Sequence, residues 1–298
     1  MKVAAIQMVS GCDVPSNLQV AAELLEEAAR QGAELAVLPE FFCLMGHQDT
    51  DKLAVQEAYG QGPVQQFLAD QARSLGLWLV GGTLPLATPD PQRVHNTTLV
   101  FSPQGLCVAR YDKLHLFRLL DAAQSFDETR VVLAGVEPAQ FTLVARNGQR
   151  WTVGLSICYD LRFPELYRWH AAQGADLLLV PSAFTHATGQ AHWELLLRAR
   201  AVENLAYVLA PAQGGLHENG RRTWGHSMVV DPWGEVMAVQ AEGAPRALMP
   251  VATITLAGQR WARRLLTLWR RWALWGLLAV LVLAMLGTMV WLAGGDGA

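Results

Sequence analysis

Cys158 stands in Gly154-Leu155-Ser156-Ile157-Cys158-Tyr159-Asp160-Leu161-Arg162-Phe163-Pro164-Glu165. The apolar, β-branched run 151–157 suits a buried strand. Pro164 suits the first turn of a helix, where its missing N–H costs nothing. A thiol at such a turn faces unpaired N–H groups and the positive end of the helix dipole, and both favour the nucleophilic thiolate. Taken alone, such a cysteine is more often a small buried hydrophobe. A thiolate nucleophile also needs a proton acceptor and donors for a developing oxyanion. Histidine is one common base, but His115, His170, His186 and His192 sit in no local pattern that ties them to Cys158. A carboxylate with a lysine is the other arrangement. Glu40 closes an apolar strand in Val37-Leu38-Pro39-Glu40-Phe41, and Lys113 closes another in Ala109-Arg110-Tyr111-Asp112-Lys113. Strand ends are where α/β folds present reactive groups. The apolar company of Glu40 predicts a desolvated carboxylate with a raised pKa, a usable base. Singly, each of these two charges is more often a solvated surface group.

The elements that must position these residues alternate. Lys2–Met8 reads as a buried strand. Ser16-Asn17-Leu18-Gln19 opens a helix to about Gln31, with Ser16 and Gln19 spaced as a capping box. The strand Glu34–Leu38, the helix Pro63–Leu75 and the strand Leu77–Gly81 follow. His95–Phe101 and Leu106–Tyr111 flank the turn Pro103-Gln104-Gly105, and an irregular stretch runs to Thr129. Phe141–Ala145 and Trp151–Ile157 flank Asn147-Gly148, a hairpin signal. After Cys158 come a helix to about Gln173, the strand Asp176–Pro181, the helix Gln190–Glu203 and the strand Ala206–Pro211. Two more strands, Gly225–Val230 and Glu235–Gln240, and a possible strand at Val251–Leu256 complete an α/β pattern.

Glu after Leu-Pro, Lys in Lys113-Leu114-His115-Leu116-Phe117, and Cys in Ile157-Cys158-Tyr159-Asp160 occur in the order that resembles the nitrilase superfamily of carbon–nitrogen hydrolases. The resemblance covers residues 1 to about 255. It extends through Gly174–Phe184, His192-Trp193-Glu194 with Arg200–Asn204, and Gly225–Gly234. It implies a four-layer α-β-β-α sandwich and a two-step acyl transfer with no metal or organic cofactor. In that scheme Cys158 is the nucleophile and Glu40 the base. Lys113, with the Tyr159 N–H, stabilises the oxyanion. A second glutamate, Glu128 in preference to Asp127, orients substrate and lysine. Tyr159, Phe184 and Thr185 would line the pocket, and Arg162 and Glu165 would form a structural ion pair. The nucleophile segment looks like that of small amidases acting on deaminated glutathione or other α-keto acid amides. True nitrilases continue the cysteine motif with Trp-Glu, where this chain has Tyr159-Asp160, which argues against nitriles. An ω-amidase on α-ketoglutaramate, a membrane-associated N-acyltransferase and a non-catalytic tethered binding module are the alternatives. Family members pair into homodimers, which the altered C-terminus of this chain puts in question.

The 298-residue chain carries a net charge of −3, but the charge is unevenly spread. From Gln259 onward five arginines and Asp296 give +4, while the rest carries 18 basic and 25 acidic residues, a net of −7. A body of that balance gives no reason to expect nucleic-acid binding. Cys12, Cys43, Cys107 and Cys158 have neither disulfide nor metal-type spacing, which suits a reducing compartment. Residues 272–295 contain no charge, a run longer than the roughly 20 residues that a bilayer helix needs. Trp269, Trp272 and Trp275 flank one end, Trp291 the other, and all five arginines lie on the N-terminal side. The expected organisation is a hydrolase domain over 1–257, a basic juxtamembrane segment over 258–271 and a transmembrane helix over 272–295. The lipid anchor would leave the catalytic domain facing the cytoplasm.

Overall fold

The computed structural model describes residues 1–120, 125–241 and 251–256. One compact unit runs from Met1 to Thr255. Its first half comprises β1 (Lys2–Ala5), α1 (Val14–Arg30), β2 (Leu35–Val37), α2 (Asp51–Ala54), α3 (Pro63–Leu75), β3 (Trp78–Val80), β4 (Leu84–Ala87), β5 (Val94–Phe101) and β6 (Cys107–Asp112). A small hairpin of β7 (Arg118–Leu120) and β8 (Ser125–Asp127) leads to β9 (Gln140–Val144) and β10 (Arg150–Leu155). The second half holds α4 (Pro164–Ala172), β11 (Leu177–Leu179), α5 (His186–Asn204), β12 (Tyr207–Ala210), β13 (Gly214–Leu216), β14 (Arg222–Trp224), β15 (Met228–Val230), β16 (Val236–Val239) and β17 (Val251–Thr253).

Two sheets result. The first runs β17-β1-β2-β3-β5-β4 with β6 on β5, and the second runs β16-β15-β12-β11-β10-β9. Strands β1, β2 and β3 are parallel, as are β10, β11 and β12, so each sheet has a βα-built centre with antiparallel edges. The sheets face each other, β1 against β12 and β6 against β9, with α1 and α3 outside the first and α4 and α5 outside the second. This is the nitrilase-like α/β sandwich. Apolar runs such as Leu35-Ala36-Val37 and Leu177-Leu178-Leu179 fit because central strands are covered on both sides, and all six residues are buried.

Local chemistry explains most boundaries. Helix α1 buries Asn17, Ala21, Leu25 and Ala28, one helical face. It starts before the predicted Ser16 cap: Asp13 is the N-cap, its carboxylate accepting from Ser16 N at 2.9 Å, and Pro15 occupies the first turn. The Asn147-Gly148 hairpin forms with Arg150 opposite Val144. The stretch read as irregular contains the β7–β8 pair, and α5 begins four residues before the predicted Gln190. Gly154 is required where β10 meets α4, because a Cβ there would lie 2.7 Å from the His170 ring.

Among the described residues no helix is long and apolar enough to cross a membrane. The expected span at 272–295 and the segment 258–271 lie outside the described residues.

Candidate active site

The C-terminal ends of β2, β6 and β10 converge on one pocket. Cys158 follows β10 at a backbone φ of +49°, a left-handed conformation that costs a non-glycine residue energy and recurs at functional sites. It is held there by its N–H donating to Pro181 O at 3.0 Å, beyond the neighbouring strand β11. Phe41, next to Glu40, is also left-handed at +57°, its N–H bonded to Thr83 Oγ1 at 2.8 Å. Two strained turns thus aim a thiol and a carboxylate at the same space.

Glu40, 1% exposed, accepts from Lys113 Nζ at 2.9 Å and Asn96 Nδ2 at 3.0 Å on one oxygen, and from Ala183 N at 2.9 Å on the other. Lys113, equally buried, also donates to the two Glu128 oxygens at 3.0 and 2.9 Å. Glu128 is fixed in turn by Phe117 N at 2.7 Å. Asp127 points elsewhere, capping Thr129 N at 3.1 Å and pairing with Arg118 at 3.3 Å. Burial by itself would lower the lysine pKa, but Glu128 and then Glu40 outweigh it and hold the ammonium well above its usual range.

The thiol departs from the sequence expectation. Cys158 opens a short 3₁₀ turn, Cys158–Arg162, and the α-helix begins only at Pro164. Burial, then the adjacent Glu40 charge, push the thiol well above its ordinary pKa, with Lys113 pulling the other way. The resting group is therefore a thiol beside the Glu40 carboxylate, and ionisation requires transfer of its proton. The helix dipole does not dominate, because desolvation and a full negative charge act at closer range.

The pocket holds about 330 Å³ of empty space, part of it open to solvent. Glu40, Lys113, Glu128, Cys158, Tyr159, Phe184 and Thr185 all line it, so every residue singled out for catalysis or binding meets there. No hydrogen bond from the Tyr159 N–H is found among the described residues. Arg162 differs from expectation. No ion pair joins it to the exposed Glu165 among the described residues. It lines the pocket instead, its guanidinium 5.9 Å from the Tyr159 ring centre and 5.8 Å from that of Phe184. His192 Nδ1 accepts from it at 3.2 Å. Sequence reasoning did not single out Asn96, Phe117, Thr188 or Arg221, which also belong to the site or its wall.

None of the four histidines serves Cys158. His170 lies behind β10, its Nε2 bonded to Leu155 O at 2.8 Å, and burial lowers its pKa to about 4. His115 is tied to Asp160, His192 to Arg162, and His186 packs edge-on against Trp224.

The carbon–nitrogen hydrolase family model matches residues 2–263. The chain belongs to the carbon–nitrogen hydrolase family. This hydrolase is 42% identical over 241 residues to the deaminated glutathione amidase of Synechocystis sp., covering 80% of this chain and 87% of that one. It is 41% identical to the Homo sapiens deaminated glutathione amidase, covering 81% and 73%. The crystal structure of the C. elegans NitFhit protein superposes with a TM-score of 0.80 at 39% identity, over 90% of this chain and 64% of that one. The hydrolase thus spans under two thirds of that protein's length. As a family member it is an enzyme, an amidase acting on carbon–nitrogen bonds.

Proposed function

We propose that the enzyme hydrolyses the terminal amide of a small carboxylate-bearing substrate, of the deaminated-glutathione or α-keto acid amide class, and releases ammonia. One observation carries the reading: the Cys158 thiol shares a buried pocket with Glu40, Lys113 and Glu128, while Arg162 and Arg221 line the wall. The first four supply acyl-transfer chemistry, and the guanidiniums suit a substrate carboxylate.

The proposed steps use these groups in turn. Glu40 takes the thiol proton as sulfur attacks the amide carbon. The carbonyl oxygen becomes an oxyanion, held by Lys113 Nζ and the Tyr159 N–H. Collapse breaks the C–N bond, and the proton on Glu40 goes to the departing nitrogen, which leaves as ammonia. Water then attacks the thioester, giving its proton to Glu40. The acid departs and the thiol is restored. Glu128 holds Lys113 in place throughout. Single-turnover assays should show an acyl-enzyme on Cys158, and ammonia release should vanish in Cys158→Ala. A folded Cys158→Ala chain with full activity rules the scheme out. A substrate panel of deaminated glutathione, α-ketoglutaramate, simple amides and nitriles then separates the amidase from the ω-amidase reading.

Two further parts of the proposal rest on sequence. The uncharged run 272–295, with its flanking tryptophans and arginines, is read as a single membrane anchor, the catalytic unit lying on the cytoplasmic side. Truncation after residue 257 should move the protein from the membrane to the soluble fraction. A homodimer is consistent with exposed apolar side chains on α5, Leu195 and Val202, and on the following hairpin, Trp233. Sedimentation in detergent tests it.

A further inference from the structure

Away from the pocket, three different metal-binding side chains meet. A Cys12 sulfur, a His47 ring nitrogen and a Glu218 carboxylate oxygen all lie within 4.8 Å of one another. Cys12 precedes α1, His47 follows the Phe41–Met45 segment, and Glu218 lies in the turn between β13 and β14. We propose that Cys12, His47 and Glu218 bind a zinc-class divalent cation, with water in the fourth position.

The donor set selects this class of ion. Thiolate with imidazole and carboxylate suits zinc and its neighbours, whereas calcium and magnesium prefer oxygen alone. Spacing is compatible. Bonds of about 2.0–2.3 Å around a tetrahedral ion place ligand atoms roughly 3.3–3.8 Å apart. The three side chains must therefore close by about 1 Å, and His47 is exposed and able to swing. Binding releases the thiol proton to solvent as the sulfur–metal bond forms.

The surrounding backbone already orients the ligands. Cys12 N donates to Glu218 Oε2 at 2.9 Å, which keeps that carboxylate beside the thiol. Gly11 leaves room for it, since a Cβ there would sit 2.9 Å from the same oxygen. Asn219 Nδ2 donates to Gly46 O at 2.6 Å and Met45 O at 3.3 Å, fastening the His47 segment to the β13–β14 turn. Such outer contacts fix ligand geometry in metal sites.

The ion would clamp the outer lip of the catalytic pocket. Met45 leads into the His47 segment and its O accepts from Asn219 Nδ2 at 3.3 Å beside Glu218, while its side chain packs with Phe41 and Ala183, both in the pocket wall.

The test titrates the full chain carrying Cys158→Ala, which removes the pocket thiol, with cobalt(II). One equivalent should bind with a thiolate-to-cobalt charge-transfer absorption, and zinc should displace it. Cys12→Ser and His47→Ala should each weaken binding at least tenfold. His47 is exposed, so its replacement leaves the fold intact and the comparison clean. Absence of the absorption, or affinity unchanged in either variant, overturns the proposal.

Discussion

The Asp160 carboxylate holds the His115 ring at 2.6 Å, and in doing so joins the strand end that carries Lys113 to the turn that carries Cys158. A carboxylate only accepts, so the proton lies on His115 Nδ1. The same carboxylate, fully buried, accepts from His115 N at 3.0 Å, Tyr111 OH at 2.7 Å and Ile157 N at 2.8 Å. Tyr111 and His115 bracket Lys113, and Ile157 precedes Cys158. Asp160→Asn keeps one oxygen and loses half of these bonds. We expect kcat to fall about tenfold to a hundredfold, because a displacement of about 1 Å between reacting groups costs that much. KM should stay within about twofold, and Tyr111→Phe, which breaks one of the Asp160 bonds and the longer one from Leu114 N at 3.4 Å, should fall between. Steady-state kinetics on a keto-acid amide decides this. A parallel loss of kcat and thermal stability with no intermediate Tyr111→Phe value would assign Asp160 to folding alone.

Glu128 carries the next prediction. It is the larger of the two charges that keep Lys113 protonated despite burial. Glu128→Gln leaves the lysine with Glu40 alone and frees it to shift toward the base. We expect kcat/KM to drop about 10²–10³-fold, the usual cost of misplacing an oxyanion donor. Asp127→Asn, on the neighbouring residue, should change it less than threefold, since that carboxylate caps Thr129 and pairs with Arg118 and Arg130, away from Lys113. Equal losses in the two variants refute the assignment.

The contrast between these neighbours shows what the sequence made legible. Glu40, Lys113 and Cys158 each close an apolar run, so periodicity alone placed them at strand ends. Glu128 follows a hairpin without a Gly or Asn turn signal, and only the family resemblance preferred it to Asp127. Asn96 and Phe117 escaped notice because an amide within a strand and a phenylalanine in a loop become site residues only once the two sheets face each other. The thiolate expectation failed for a related reason. The helix dipole is a local property readable from Pro164, whereas burial and the Glu40 charge are tertiary. The ion pair of Arg162 with Glu165 was an implication of the family resemblance, not of any local pattern. The chain is still in its 3₁₀ turn at Arg162, and that sends the guanidinium into the pocket.

Stability should depend on pH through His170. Its folded pKa of about 4 lies below the usual 6.5, because burial disfavours the charged ring. Leu155 O accepts from the Nε2–H, and Gln140 Nε2 donates to Nδ1 at 3.2 Å, a contact suited to the neutral ring. The unfolded chain therefore binds a proton between pH 6.5 and 4 that the folded chain refuses. Stability is fully present above pH 6.5 and is lost as pH falls through this window. At 1.36 kcal/mol per pH unit the loss reaches about 3 kcal/mol. His217, also lowered by burial, adds in the same direction. Denaturant titrations from pH 7 to pH 4 should show the decline, and His170→Asn should flatten part of it. An unchanged slope in that variant means that other groups govern the transition.

Arg162 offers the sharpest test of substrate charge. Its guanidinium lines the pocket over the Tyr159 and Phe184 rings, and its hydrogen-bond partner is a neutral-capable ring nitrogen of His192, not a carboxylate. A cation without an acidic partner among the described residues is available to an anionic ligand. Arg162→Met keeps the apolar stem and removes the charge. A charge-assisted hydrogen bond contributes roughly 1.5–3 kcal/mol, so kcat/KM on a keto-acid amide should fall roughly 10–150-fold. An uncharged amide of similar size makes no such contact, and its rate should change less than threefold. Because the nucleophile and its ion cluster are untouched, a loss that is equal for both substrates would place Arg162 in pocket architecture and remove the case for a carboxylate-bearing substrate.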